Sequence, residues 1–374
     1  MNRVRELIGG QNGSRHGRIP SPRQDLLQPW VNTREGDDQE TLLENNGDED
    51  NNLSDTETLN TVASGGDTIG DFQRQGFVNR CPRFTQCRLI PFVLVLLTKG
   101  FFCFPSEKSF KTYIENKRKF DKLDGTEGLG IPLFHAVPLG VVKTIFSPKS
   151  PIMKIYKYII INSEKDKSPP GAEEISADGP LVLYKYLFCS ILEEVNNNIG
   201  RVEHKFNFTR LNNDDPLPPV LTMANMIHWR NTDTTLNGLN LRWYGTSGFA
   251  SPFGTGNIKL LVLDDNMASL MDQRTVEEYE NYHRINRTRP LGRLPIWAKY
   301  SNEGSTVIPK KRTLRMANLQ IGEYQSIVHS DGIFNVPWET QALTCMCMVL
   351  HEYESRKDRR RTGGVTLGPD MIFM

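Results

Sequence analysis

The segment that most constrains this chain is its last helical stretch, residues 339–355, ETQALTCMCMVLHEYES. Within it, residues 342–350 carry no charge, no Gly and no Pro. A helix on a protein surface shows one apolar stripe, whereas a helix apolar on every side belongs inside. The segments before it have the length and residue types of strands, so the natural enclosure is a sheet. The expected fold class is β-rich (α+β): a closed antiparallel β-barrel around a buried, hydrophobic C-terminal helix.

Several segments supply the staves. Residues 155–161 (IYKYIII) read as a strand before a polar loop over 162–180. Residues 181–192 (LVLYKYLFCSIL) fit either a strand or a helix, since an apolar run of this length has no decisive period. Residues 200–209 alternate, with Val202, His204, Phe206 and Phe208 on one face. Further strands are expected over 239–244, 258–263, 297–300, 313–319 and 325–328. The run 89–104 (LIPFVLVLLTKGFFCF) is short of the ~20 apolar residues of a membrane span and holds Pro91, Lys99 and Gly100. Two buried strands joined by a turn at Thr98-Lys99-Gly100 are expected there. The alternative is a membrane anchor, which would make the chain an integral membrane protein.

Charge divides the chain. Residues 1–71 hold six Arg, no Lys and fourteen Asp or Glu, a balance of −8, while the remainder has 39 basic and 30 acidic residues, a balance of +9. Such an acidic segment, rich in Asn, Gly, Ser and Thr, cannot bury enough apolar surface to offset its ordering entropy. The organisation expected is a disordered acidic arm (1–71), a barrel domain (72–355) with an insertion at 120–180, and a basic tail (356–374). A basic body favours anionic partners, either phospholipid or nucleic acid.

Enzymatic chemistry finds no foothold. Gly254-Thr255-Gly256 precedes a strand instead of following one, the wrong order for a dinucleotide fingerprint, and there is no P-loop and no G-x-S-x-G. The seven His are scattered, and Cys81, Cys87, Cys103, Cys189, Cys345 and Cys347 form no C-x-x-C pair. Free thiols in a reducing compartment are expected, with no metal and no cofactor. What recurs is clustered cation: Lys108, Lys111, Lys117, Arg118, Lys119 and Lys122; Lys310, Lys311, Arg312 and Arg315; Arg284, Arg287, Arg289 and Arg293; and Arg356 to Arg361. Aromatic residues are not interleaved as single-strand binding prefers, which puts lipid phosphate ahead of nucleic acid.

A set of short, collinear motifs resembles the tubby C-terminal domain, whose fold is a closed β-barrel threaded by a hydrophobic C-terminal helix. Ile199-Gly200-Arg201-Val202 is similar to that family's apolar-Gly-Lys-Leu segment, and 241–263 to its central strand pair with a Gly-rich connection. Pro295-Ile296-Trp297 resembles its Pro-Val-Trp, Asn318-Leu319-Gln320-Ile321 its Asn-Phe-Gln-Ile, and Gln341-Ala342 its Gln-Ala-Phe. The resemblance covers roughly residues 80–355 and implies phosphoinositide binding. Lys108, Lys111, Lys117, Arg118 and Lys119 would match the family's early basic segment, and Arg201 its Gly-Lys position. Lys310, Lys311 and Arg312 are an alternative site. The Arg that follows the family's Gly-Lys-Leu is replaced by Glu203.

The expected function is that of a non-enzymatic, membrane-associated adaptor or regulatory module. It would be cytoplasmic and peripheral to the membrane, bind anionic phosphoinositide head groups and engage an unidentified protein partner. A nuclear or nucleic-acid-associated regulator is the further alternative.

Overall fold

The computed structural model describes residues 81, 83–139, 150–196, 198–210, 220–226, 231–245, 257–265, 267–272, 294–302, 312–324 and 328–361, with side chains as far as residue 356. Its strands are β1 (Phe84–Val95), β2 (Phe101–Cys103), β3 (Phe134–Pro138), β4 (Met153–Asn162), β5 (Glu173–Asp178), β6 (Leu181–Asn196), β7 (Arg201–Phe208), β8 (Leu221–Met226), β9 (Asn231–Leu236), β10 (Leu239–Tyr244), β11 (Asn257–Val262), β12 (Ile296–Asn302) and β13 (Thr313–Tyr324). Two helices accompany them, α1 (Glu107–Glu115) and α2 (Trp338–Arg361). Neighbouring strands pair antiparallel in the order β4-β3-β2-β1-β13-β12-β11-β10-β9-β8-β7-β6, and β6 pairs back onto β4. Twelve strands therefore close a barrel, and β5 is an extra strand hydrogen-bonded to the first half of β6.

The alternation in the sequence decides which side chains enter the barrel. In β7, Val202, His204 and Phe206 are buried while Asn207 is exposed. In β1, Phe84, Arg88, Ile90 and Phe92 are buried. α2 fills the lumen, and every residue from Ala342 to Leu350 is buried. Two buried threonines of its first half are satisfied: Thr344 Oγ1 donates to Thr340 O at 2.6 Å, and Thr340 Oγ1 donates to Glu323 Oε1 at 2.8 Å. Glu323 also accepts from Arg88 Nε at 2.6 Å, a buried ion pair that ties β1, β13 and the start of α2 together.

Packing fixes the direction of α2. Trp338, at its start, lies edge-on to Phe208, with ring centroids 4.8 Å apart. Near its end, His351 packs against Phe101 and Phe92 and is hydrogen-bonded to Tyr300 Oη at 2.6 Å. The helix leaves the barrel at the rim where β1, β6 and β10 end and β2, β7 and β13 begin. This is called the exit rim below. A second apolar cluster lies outside the barrel wall, where Phe110 and Tyr113 of α1 cover Val93, Val95, Phe102 and Tyr158.

The enclosed helix and the closed barrel match the sequence expectation. Residues 89–104 are β1, a turn and β2 as read, 181–192 lie in strand β6, and no helix among the described residues is long and apolar enough to cross a membrane. Two expectations need correction, and a third lies outside the described residues. Residues 162–180 are not wholly loop: β5 lies there, and its exposed residues carry no alternating signal because it only lines the outside of β6. β13 runs from Thr313 to Tyr324, and the strand expected over 325–328 falls on residues 325–327, which lie outside the described residues. The closing helix continues past Ser355 to Arg361. Residues 120–180 carry β3, β4 and β5. The acidic arm, the Arg284–Arg293 cluster, Lys310 and Lys311 lie outside the described residues.

Candidate functional site

Most of the expected site residues are distributed over the wall. α1 forms where Ser106 caps it: the Ser106 Oγ accepts from Ser109 N at 3.1 Å, Glu107 occupies the first turn, and Phe110 and Tyr113 anchor one face. Lys108 and Lys111 then stand on the exposed face beside a groove of about 680 Å³, lined also by Cys87, Leu89, His329 and Asp331. The groove is mixed in charge. Lys108 Nζ lies 3.4 Å from Asp331 and 3.9 Å from Glu127, and Lys111 shares its helix face with Glu115 four residues on. Past the helix, Lys117 and Arg118 hold left-handed backbone (φ 52° and 63°), and Arg118 N donates to Tyr113 O at 2.9 Å. Lys119 Nζ is 3.7 Å from Asp121.

Arg201 is neutralised at its own position. Its Nε lies 2.7 Å from Glu203 Oε1, in a second groove of about 640 Å³ shared with Glu194 and Asn196. Glu203, the departure noted in the sequence, thus engages the very cation expected to meet phosphate.

Arg312 stands apart from these, exposed at the exit rim just before β13. Its carbonyl accepts from Leu96 N at 2.9 Å, which sets it beside the β1–β2 turn. That turn exposes Lys99, a residue the sequence reading used only as a turn marker. The Lys99 carbonyl is held by His135 Nε2 at 2.7 Å, and the His135 ring stacks on Phe102 with centroids 4.2 Å apart. Burial pushes the His135 imidazole down to about 4, and the nearby Lys185 charge adds to this, so the ring is neutral and donates from Nε2. Neither Lys99 nor Arg312 has an ion-pair partner among the described residues.

Several other ionisable groups lie inside the barrel. Glu193, His204 and Tyr353 form a network inside the exit end. His204 Nε2 lies 2.9 Å from Tyr353 Oη, and Tyr353 Oη donates to Glu193. The hydrogen bond with His204 holds the Glu193 carboxyl below its usual range. Lys157 lies inside the barrel at the start of α2, 2.7 Å from Gln341 Oε1 and over the Phe188 ring, and burial lowers its amine to about 8. All six cysteines are free, and burial pushes the Cys345 and Cys347 thiols well up, away from thiolate reactivity. No group of His, Cys, Asp or Glu among the described residues is arranged to hold a metal.

The sequence profile of the family described as DIA1 matches residues 85–359, the whole barrel and most of α2. The chain belongs to the DIA1 family. An uncharacterised protein of Saccharomyces cerevisiae is 49% identical over 391 residues, covering 97% of this chain and 96% of that protein. The yeast protein DIA1 is 27% identical over 76% of this chain and 83% of its own length. A second uncharacterised yeast protein is 27% identical over 72% of the chain and 86% of its own length. No solved structure matches the chain significantly. These matches correct the tubby resemblance. The shared short motifs accompany a similar architecture, but the chain's relatives are DIA1-like proteins and not tubby proteins.

Proposed function

We propose that this DIA1-family barrel is a non-catalytic, peripheral membrane module that binds anionic phospholipid head groups at its exit rim and presents a protein partner there. One observation carries the proposal: the rim brings Lys99 and Arg312 together on hydrogen-bonded turns with neither cation ion-paired among the described residues. Lys108, Lys119 and Arg201, by contrast, each have a carboxylate within 4 Å. An unpaired ammonium and guanidinium form charge-assisted hydrogen bonds to phosphate without first giving up a partner. Each cation near an anionic leaflet contributes about 1 kcal/mol, so two contribute about 2 kcal/mol, or roughly thirtyfold in partitioning at moderate salt.

Co-sedimentation with phosphatidylcholine vesicles, with and without phosphatidylinositol bisphosphate, at about 0.1 M salt tests this. Lys99→Gln with Arg312→Asn, the latter chosen because Asn tolerates left-handed backbone, is expected to lower binding about tenfold or more. Lys108→Ala with Lys111→Ala is expected to leave it within about twofold. Equal partitioning of the native protein onto neutral and anionic vesicles would sink the proposal.

A further inference from the structure

We infer that the exit rim docks on the membrane by shallow insertion of apolar side chains between its cations, with Leu97 and Ile199 as the inserted tips. The inference rests on the anionic-membrane function proposed above and adds the mode of contact. Among the described residues, six large apolar side chains are exposed: Leu97, Val195, Ile199, Val220, Tyr244 and Val328. The strand directions sort them. Leu97 follows β1, Val195 lies near the end of β6, Ile199 precedes β7 and Tyr244 ends β10, and all of these strand ends belong to the exit rim. Val220 and Val328 lie at the other end, before β8 and after β13. Scattered single exposures are ordinary, but four at three strand connections of one rim mark an interaction surface.

Leu97 is the most telling of the four. It is 69% exposed and adopts φ 71°, the left-handed backbone that glycine takes without penalty. Three residues later Gly100 takes φ 81°, and a Cβ there would meet the Ala136 carbonyl oxygen at 2.0 Å, so glycine is used in this turn where space requires it. At Leu97 a solvated apolar side chain stands on backbone that does not favour it. Lys99 lies two residues on, and Arg312 is bonded to the same turn. At Leu97 an apolar tip is flanked by Lys99 and Arg312. Ile199 stands beside the paired Arg201 and Glu203, and Tyr244, about one-third exposed, ends a strand at the same rim. This matches the layering of a bilayer surface: acyl chain edge, interfacial aromatic, anionic phosphate. A protein partner would more commonly be met by a central apolar patch with a polar rim than by separate apolar tips set among charged side chains.

The test compares the native full-length chain with Leu97→Gly, Ile199→Ser combined, on vesicles of phosphatidylcholine with phosphatidylinositol bisphosphate and on monolayers of the same composition. Leu97→Gly relieves the backbone, so an unchanged or higher melting temperature shows that the variant is folded. The native protein is expected to retain binding at about 0.5 M salt, where the Debye length is only a few Å, and to raise monolayer surface pressure. The variant is expected to bind normally at low salt but at least tenfold more weakly at high salt, with no pressure rise. If native binding is anionic-selective yet fully reversed by salt, or if the variant behaves like the native protein, insertion is wrong and head-group binding stands. If the native protein shows no anionic selectivity, both fail. If light scattering shows a vesicle-independent dimer that the variant loses, the rim belongs to a second copy of the chain and the inference is overturned.

Discussion

Shortening Met346 to alanine is a direct measure of how completely α2 is enclosed. Met346 is fully buried in the middle of the helix, with Cys345 and Cys347 beside it equally buried. Met346→Ala removes three methylene-sized groups at about 0.8 kcal/mol each, or about 2.4 kcal/mol. A residual cavity of about 50 Å³ at about 24 cal/mol per Å³ adds about 1.2 kcal/mol, for a total near 3.5 kcal/mol. Helix propensity does not contribute to the loss, because alanine is the better helix former. Urea unfolding is expected to show a lower midpoint with an unchanged m value, and the melting temperature to fall by roughly 7–14 °C at about 2–4 °C per kcal/mol. Arg356→Ala is the control. Arg356 sits near the helix end, where its Nε meets Glu352 at 2.7 Å, and an i,i+4 pair of this kind is worth about 0.3–0.5 kcal/mol. A Met346→Ala cost no larger than that of the control would show that the helix is not surrounded.

Two further predictions follow from buried charge and pH. Arg242 donates to both Asp233 oxygens at 2.8 Å, and Asp233 also accepts from Leu270 N, so Asp233→Ala is expected to cost about 3–5 kcal/mol, while a volume-matched apolar replacement of both partners should cost far less in a double-mutant cycle. His135 is held near 4 when folded against 6.5 normally, so the unfolded chain takes a proton that the native state refuses. Stability should therefore fall as pH drops from 6.5 towards 4, by up to about 1.4 kcal/mol per pH unit. His135→Phe should flatten that limb of a melting-temperature profile relative to the native protein; parallel profiles would show that His135 is not the group responsible.

What was legible in the sequence was set by burial, and what was missed was set by polar interiors. Residues 342–350 announce an enclosed helix because nothing in them tolerates water. β9 shows no apolar alternation, because Thr232, Asp233 and Thr234 are buried polar residues, satisfied by Arg242 and neighbouring backbone. α1 was read only as a lysine cluster, although Ser106 as cap and Phe110, Tyr113 and Ile114 at helical spacing could have revealed it. The motifs taken for tubby kinship answer to local geometry. Gly200 holds φ 65° in the β6–β7 connection, Asn318 accepts from Arg315 Nε at 2.7 Å, and Gln341 Nε2 donates to Val336 O at the start of α2. Barrels of different ancestry can meet the same geometric demands with the same residues. The cationic site was only half legible, because sequence gives charge but not partners. Glu203 cancels Arg201, whereas Lys99 becomes notable only once the β1–β2 turn is beside Arg312.

The closure of β1 on β13 also sets when this protein can begin to exist. Phe84 pairs with Tyr324, and the helix that fills the lumen follows still later, so the first stave waits for the last. At synthesis rates of about 5–20 residues per second, the ribosome exposes β1 for roughly 15–55 s before α2 is complete. During that interval Ile90 and Phe92 have neither β13 nor the plug that buries them in the finished chain. The nascent chain is therefore a natural client for chaperones that hold apolar strands. A stalled or truncated product lacking α2 would present a barrel wall with no interior, to be degraded and not to function as a smaller version of the protein.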